Sequence, residues 1–189
     1  MNKMQTKFKN KLNSILPFWF MDENKPKWFA KDNAFDKQIL TKFHDLYVEA
    51  LSQQVMHTYQ YYTAETVLAL IILFDQFPRN MFRNTPQAFT TDHKSLALTK
   101  SGIIESLDKN LTNEYRLFFY MPLMHSENLA DQEISVKLFA FDDNAHQYAK
   151  AHFDIIKEFG RFPHRNKILG RKSTKTELEF LAKKHLDFF

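Results

Sequence analysis

The chain predicts an all-α protein, and three features carry that prediction. Glycine occurs only three times (Gly102, Gly160, Gly170) and proline six times in 189 residues. All-β folds need many turns built on those residues, and dinucleotide-binding or P-loop folds need glycine-rich phosphate loops. Apolar residues recur at helical spacing in several long stretches, and no stretch reads as a convincing strand. The expectation is about seven or eight helices, joined by the short links typical of antiparallel neighbours. They form a single domain over residues 1–189, with 1–16 a lysine-rich amphipathic helical extension that frays at its end.

Taken in order, Pro17 precedes the aromatic block Phe18-Trp19-Phe20, and Pro26 precedes Lys27-Trp28-Phe29. Such blocks read as core plugs. Asp32 or Asn33 caps a helix over about 34–51, whose Phe35, Ile39, Phe43, Leu46 and Ala50 form one buried stripe. Residues 52–62 are polar and aromatic without a clean period. Thr63 opens a helix that is apolar nearly all round over 67–74, which places it centrally in a bundle; it is expected to end at Pro78. Thr85-Pro86 starts a helix running to about Leu107 through Gly102. Thr112 opens another that stops at Pro122, and Ser126 caps one over about 127–141. Asp142-Asp143-Asn144 leads into a helix with a stripe of Tyr148, Ala149, His152, Ile155, Ile156 and Phe159, stopped by Gly160. Thr174-Lys175-Thr176-Glu177 fits a capping box for a last helix with Leu178, Leu181 and Leu186 inward.

Composition excludes several function classes. With no cysteine, disulfides, thiolate metal sites and cysteine nucleophiles are ruled out. The longest apolar run, 67–74, is far short of the ~20 residues that span a bilayer. Lys3, Lys7, Lys9 and Lys11 precede Ile15-Leu16, but Asn13, Ser14 and Pro17 break the apolar stretch and no small-residue cleavage site follows. A cytoplasmic protein without membrane association is expected. The net charge of +4 is concentrated at the N-terminus and between Arg161 and Lys175; it suits an ordinary solvated surface, an anionic small molecule or nucleic acid.

Named catalytic schemes fail on residue type or spacing. His44-Asp45 lacks the earlier histidine that a His-Asp phosphohydrolase requires. No glutamate has a histidine three residues later, so the di-iron bundle motif is absent, as is His-Glu-x-x-His. His125-Ser126-Glu127 has the His-x-Glu shape of zinc deaminases without their cysteines. No serine is flanked by the glycines of a nucleophile elbow. No metal or cofactor is expected, although spacing alone leaves open a metal held by scattered His, Asp and Glu side chains.

What remains is a set of polar residues at helix ends or on apolar faces. Asp75 follows the apolar helix, and Arg79, Asn80 and Arg83 come just after it. Asp92 sits early in the next helix. His125, Glu127, Asp131 and Gln132 cluster at a helix start. His152 lies within an apolar stripe, and Arg161, His164, Arg165, Asn166 and Arg171 follow Gly160. Two Phe-Pro segments echo one another: Ile72 through Asn80 and Ile156 through Asn166 each run from an apolar helix to Phe-Pro and then Arg-Asn, the second with His164 as one extra residue. Paired helical hairpins whose ends meet would produce such an echo.

These residues support two readings. In one, arginines and asparagines cap helix C-termini and a polar network fixes helix register. In the other, Asp75, Arg79, Arg83, Gln132, Arg161, Arg165, Asn166 and Arg171 bind a ligand while His125, Glu127, His152 and His164 supply acid–base groups. The second reading rests on charge. Five arginines face only Asp75 and Glu127, and a small anionic ligand would complete the balance through guanidinium forks.

Phe18-Trp19-Phe20, Asp75 through Asn80, Met121-Pro122 with His125-Ser126-Glu127 and Gln132, Phe159 through Asn166, and Gly170-Arg171-x-Ser173-Thr174 together resemble the bacterial domain-of-unknown-function family 924. The likeness covers about residues 15–182. It departs in having Met21 after Phe-Trp-Phe, where a small residue is usual, and no tryptophan from Met56 to Tyr62. The resemblance implies an array of helices similar to tetratricopeptide repeats; it brings no substrate, cofactor or catalytic residue. An array of that kind suggests a second function, a module that holds a peptide or protein partner in a concave groove. Nucleic-acid binding through the basic C-terminal third ranks last and requires exposed aromatic residues beside its lysines and arginines.

Overall fold

The computed structural model describes residues 3–52 and 63–183. The aperiodic stretch 53–62 and Leu186 lie outside those residues. Among the described residues the chain is all α and contains no strand. The helices are α1 (Lys3–Leu12), α2 (Ile15–Trp19), α3 (Asn33–Ser52), α4 (Ala64–Ile71), α5 (Phe77–Met81), α6 (Asp92–Ile104), α7 (Asn113–Met124), α8 (Leu129–Leu138), α9 (Asp143–Phe159) and α10 (Lys175–Ala182). Eight of these have eight residues or more; α2 and α5 are short. Among the described residues no helix is long and apolar enough to cross a membrane.

The central element is the rod built from α4, a π-helical turn at Ile72–Gln76, and α5. Every residue from 66 to 78 is buried, as expected of a stretch apolar all round. Around the rod, α3 packs on α5, α6 on α4 and α7, and α8 on α7 and α9. The α3 stripe of Phe35, Ile39, Phe43, Leu46 and Ala50 is buried in full, and Asp32 caps the helix by accepting from the amides of Ala34 and Phe35. Phe8 and Leu12 of α1 enter the same core. Trp19 is fully buried, whereas Phe29 of the second aromatic block is 72 % exposed; that part of the expected plug faces outward.

Neither proline ends its helix. At Pro78 the chain widens into the π turn, with the Phe77 amide donating to Ile72 O five residues back, and then continues as α5. Proline has no N–H for the carbonyl four residues earlier, which is Phe74 O. The buried Thr91 hydroxyl donates to that oxygen at 2.6 Å instead. Pro122 sits inside α7, where the Thr99 hydroxyl donates to Phe119 O at 2.9 Å. A hydroxyl from another part of the chain thus bonds the backbone of each interrupted turn.

Other boundaries shift for local reasons. Thr85-Pro86 opens a 3₁₀ turn (Pro86–Phe89), not the long helix expected, and α6 begins at Asp92. α8 is capped by Asn128, whose side chain accepts from the amides of Ala130 and Asp131; Ser126 instead donates to Asp131. Gly160 ends α9 in the left-handed region, and the Thr174–Glu177 capping box is present. Leu178 is exposed rather than inward, because the buried position of α10's first turn is Glu177.

Candidate functional site

The π turn inserts an extra residue into the rod and so resets the direction of the side chains on it. Such turns recur at functional sites. Here it carries Asp75 and Gln76. Asp75 is completely buried and its carboxylate is surrounded by donors. Gln76 Nε2 donates at 2.6 Å, Arg79 Nη2 at 3.2 Å, and His125 Nδ1 lies 2.9 and 3.0 Å from the two oxygens. His125 arrives from the C-terminal end of α7. Burial opposes the Asp75 charge, but His125 and Arg79 beside it outweigh burial and hold the carboxyl below the usual carboxylate range. Burial, reinforced by Arg79, pushes the His125 imidazole down against the pull of Asp75. The pair therefore stands at neutral pH as a carboxylate accepting Nδ1–H from a neutral imidazole. Nε2 is left as the ring nitrogen with a lone pair.

The two Phe-Pro segments meet at Asp92. Arg79 Nη2 lies 3.1 Å from its carboxylate and Arg165 Nη1 3.6 Å. Both guanidinium groups also lie against the Phe89 ring, at 5.5 and 4.9 Å from its centroid. Arg165 is buried, donates to His125 O at 3.1 Å and covers Phe162 at 4.4 Å. Burial, with Arg79 nearby, lowers Arg165 to about 10. The convergence expected from the sequence echo is present, with Asp75, Arg79, His125 and Arg165 in one network.

The remaining expected residues divide among neighbouring contacts. Glu127 accepts from Arg171 at 2.7 and 2.9 Å and from the Phe162 amide at 2.8 Å, tying the second Phe-Pro segment to the α7–α8 connection. Although burial raises its pKa, Arg171 and that amide bring the net shift below the ordinary value. His152 Nδ1 donates to Tyr148 O at 2.8 Å, and burial drives it down to about 3. His164 is lowered to about 3 by burial and by Arg165. Arg83 lies on Asp36, through Nε at 2.6 Å and Nη2 at 2.7 Å. Gln132 donates to the carbonyls of Met124 and Ser126 and so completes the end of α7.

Arg161 and Asn166 are not at this site. Both bind the buried Glu177 carboxylate, with Arg161 at 2.6 and 2.8 Å and Asn166 at 3.2 Å. The Arg161 bonds lower Glu177 to about 2. The group fastens α10 to the turn after α9.

The charge argument made from the sequence is corrected by these pairings. Arg79, Arg83, Arg161, Arg165 and Arg171 all lie on carboxylates, because Asp36, Asp92 and Glu177 join Asp75 and Glu127. The sequence reading missed Asp36 and Gln76 as site residues and saw Glu177 only as a cap. Asp36 pairs across 47 positions with no local signal, whereas Gln76 lies inside the Phe-Pro motif.

A cavity of about 490 Å³ opens beside Asp75, within the range of small-molecule sites. Its polar lining comes from Gln76, Arg79, Asn80, Arg83, His125, Asp142, Asn144 and His152; Trp28, Phe29, Leu117, Met121, Met124 and Tyr148 supply an apolar wall. His164, Arg165, Glu127 and Arg171 are not part of that lining, although Arg165 bonds the carbonyl of His125. Among the described residues, no group of three or more His, Cys, Asp or Glu side chains is placed to hold a metal ion.

An all-α protein with a buried carboxylate–imidazole pair beside a partly open pocket is the class that fold and site define. The chain belongs to the family of bacterial proteins of unknown function DUF924, whose model matches residues 15–185. It is similar to a solved protein of unknown function from Agrobacterium tumefaciens. Identity is 35 %, with a TM-score of 0.84 over 91 % of this chain and 97 % of that one. No curated protein matches.

Proposed function

We propose that the cavity binds a small organic anion and that His125, oriented by Asp75, transfers a proton on the bound molecule. The observation that carries this reading is the Asp75–His125 pair at 2.9 and 3.0 Å beside the cavity. A buried carboxylate holding one imidazole nitrogen fixes the tautomer and directs the other nitrogen's lone pair to chemistry. Burial keeps the ring neutral and competent as a base. Arg83 on the same lining supplies the cationic partner for an anion.

The tetratricopeptide-like arrangement implied by resemblance would favour an interaction module in an extended groove; convergence of Gln76, Arg79, Arg83 and His125 on one cavity of small-molecule size favours a small ligand. Arg161, Arg165 and Arg171 each lie on a carboxylate, which counts against the basic C-terminal segment as a cationic stripe for nucleic acid.

The test follows the His125 ring by NMR while carboxylates and inorganic phosphate are added, together with melting temperature. A ligand at 100 times its Kd stabilises the fold by about 2.7 kcal/mol. Its charge beside the imidazole raises the His125 pKa. If none of these anions moves either signal, the reading fails and the interaction module takes its place.

A further inference from the structure

The charges around the cavity select among anions. Three guanidinium groups bear on the cavity: Arg79 and Arg83 line it, and Arg165 bonds the carbonyl of the lining residue His125. Three carboxylates already bind them: Asp75, Asp92 and Asp36. Asp142 adds a fourth carboxylate to the lining, while its side chain accepts from the Ala145 amide. With the histidines neutral, carboxylates outnumber guanidinium groups here, so a bound anion must be held by an unoccupied local donor and not by net charge. Each further negative charge on a ligand adds desolvation and repulsion, which disfavours a phosphate or dicarboxylate relative to a monoanion.

One charged donor edge remains open. Asp36 takes the Nε–Nη2 side of Arg83, and Asn80 Nδ2 fixes the same carboxylate at 2.8 Å. The end of the guanidinium, Nη1 with the second N–H of Nη2, has no acceptor among the described residues. That edge matches the two oxygens of one carboxylate. Arg79, by contrast, is committed to Asp75, Asp92 and Ala88 O. Opposite the polar residues, the apolar wall offers aromatic and thioether surface, including Phe29, a large ring left mostly in solvent at the cavity rim. Met121 and Met124 give that wall the adaptability of unbranched thioethers.

We propose that the ligand is a monocarboxylate with an apolar body, its carboxylate on the open edge of Arg83 and its body against Trp28, Phe29 and the two methionines. This rests on the reading of the cavity as an anion site and narrows it to one class. It makes Arg83 the residue that determines specificity.

Calorimetric titration of the full chain with butanoate, hexanoate, octanoate, 3-phenylpropanoate, succinate and inorganic phosphate tests it. Affinity is expected to rise about fourfold per methylene along the linear acids, while succinate and phosphate give no saturable heat. Arg83→Gln should weaken octanoate binding by about 10–100-fold, the loss typical of a charge-assisted bond. Phe29→Ala, at an exposed position that folding tolerates, should weaken octanoate more than butanoate. Saturable binding of phosphate or succinate in place of the monocarboxylates overturns the narrowing and leaves the anion site standing. Octanoate affinity unchanged in folded Arg83→Gln removes the anchor. If Arg83→Gln does not fold, the chain-length series and Phe29→Ala decide. Silence from every ligand, with the His125 resonance unmoved, overturns both readings.

Discussion

Replacing Asp75 with asparagine keeps the shape of the side chain and deletes its charge. The consequence follows from its three donors. Gln76, Arg79 and His125 all point at a carboxylate with no exposure to solvent. Asparagine offers one acceptor oxygen where two were used, and turns an NH₂ group toward at least one donor. Arg79 keeps Asp92 as a partner, so its charge is not stranded. The expected cost is about 3–5 kcal/mol, the range for breaking a buried pair from one side. The assay is urea unfolding at pH 7.5 by circular dichroism, with Asp92→Asn as comparison. Asp92 is 22 % exposed in its side chain, and its loss should cost less. A double-mutant cycle with Arg79→Met isolates the pair. Loss of Asp75 also removes the pull that raises the His125 pKa, so that ring should titrate lower still. An Asp75→Asn protein within about 0.5 kcal/mol of the parent, the range of ordinary surface substitutions, would refute the account of Asp75 as the centre of the network.

Two further outcomes are expected. His152 and His164 are held down to about 3, against 6.5 when free. Their folded values lie below the unfolded ones, so the stability they support is complete above pH 6.5 and drains away as pH falls toward 3. At pH 5 each should cost about 2 kcal/mol; a urea midpoint unchanged between pH 7.5 and pH 5 would contradict their burial as neutral rings. Gly102→Ala places a Cβ 2.5 Å from Phe119 Cζ in the core. Overpacking of about 1–3 kcal/mol should exceed the helix-propensity gain of about 1 kcal/mol, and a more stable variant would show that α6 and α7 part without cost.

The parts of the fold legible in the sequence were those decided within one turn or two of the chain. The buried stripe of α3, the His152 stripe of α9, the Gly160 stop and the Thr174 box all depend on near neighbours. Pro78 and Pro122 do not act as stops; the hydroxyl that takes up the carbonyl freed by Pro78 is on Thr91, and the Thr99 hydroxyl bonds the neighbouring turn at Pro122, both from parts of the chain that no local pattern links to the prolines. The same separation in sequence misled the charge argument. Arg83 was counted as unbalanced because Asp36 lies 47 residues away, and Arg161 because Glu177 reads locally as a cap. Leu178 was placed inward by apolar character alone, whereas Arg161 draws Glu177 into the buried position. The meeting of Arg79 with Arg165 was legible for another reason. The two Phe-Pro segments repeat a local pattern, and repetition carries information about contacts that neither copy holds alone.

Thr91 and Asp92 are adjacent, yet they serve different structures. One supplies the hydroxyl that lets the rod run through Pro78; the other holds Arg79 of the cavity lining together with Arg165. The connection over residues 82–91 therefore acts as a ruler. Lengthening it by one residue would displace helix support and charge support together, so an insertion that touches no lining residue would still dismantle the cavity.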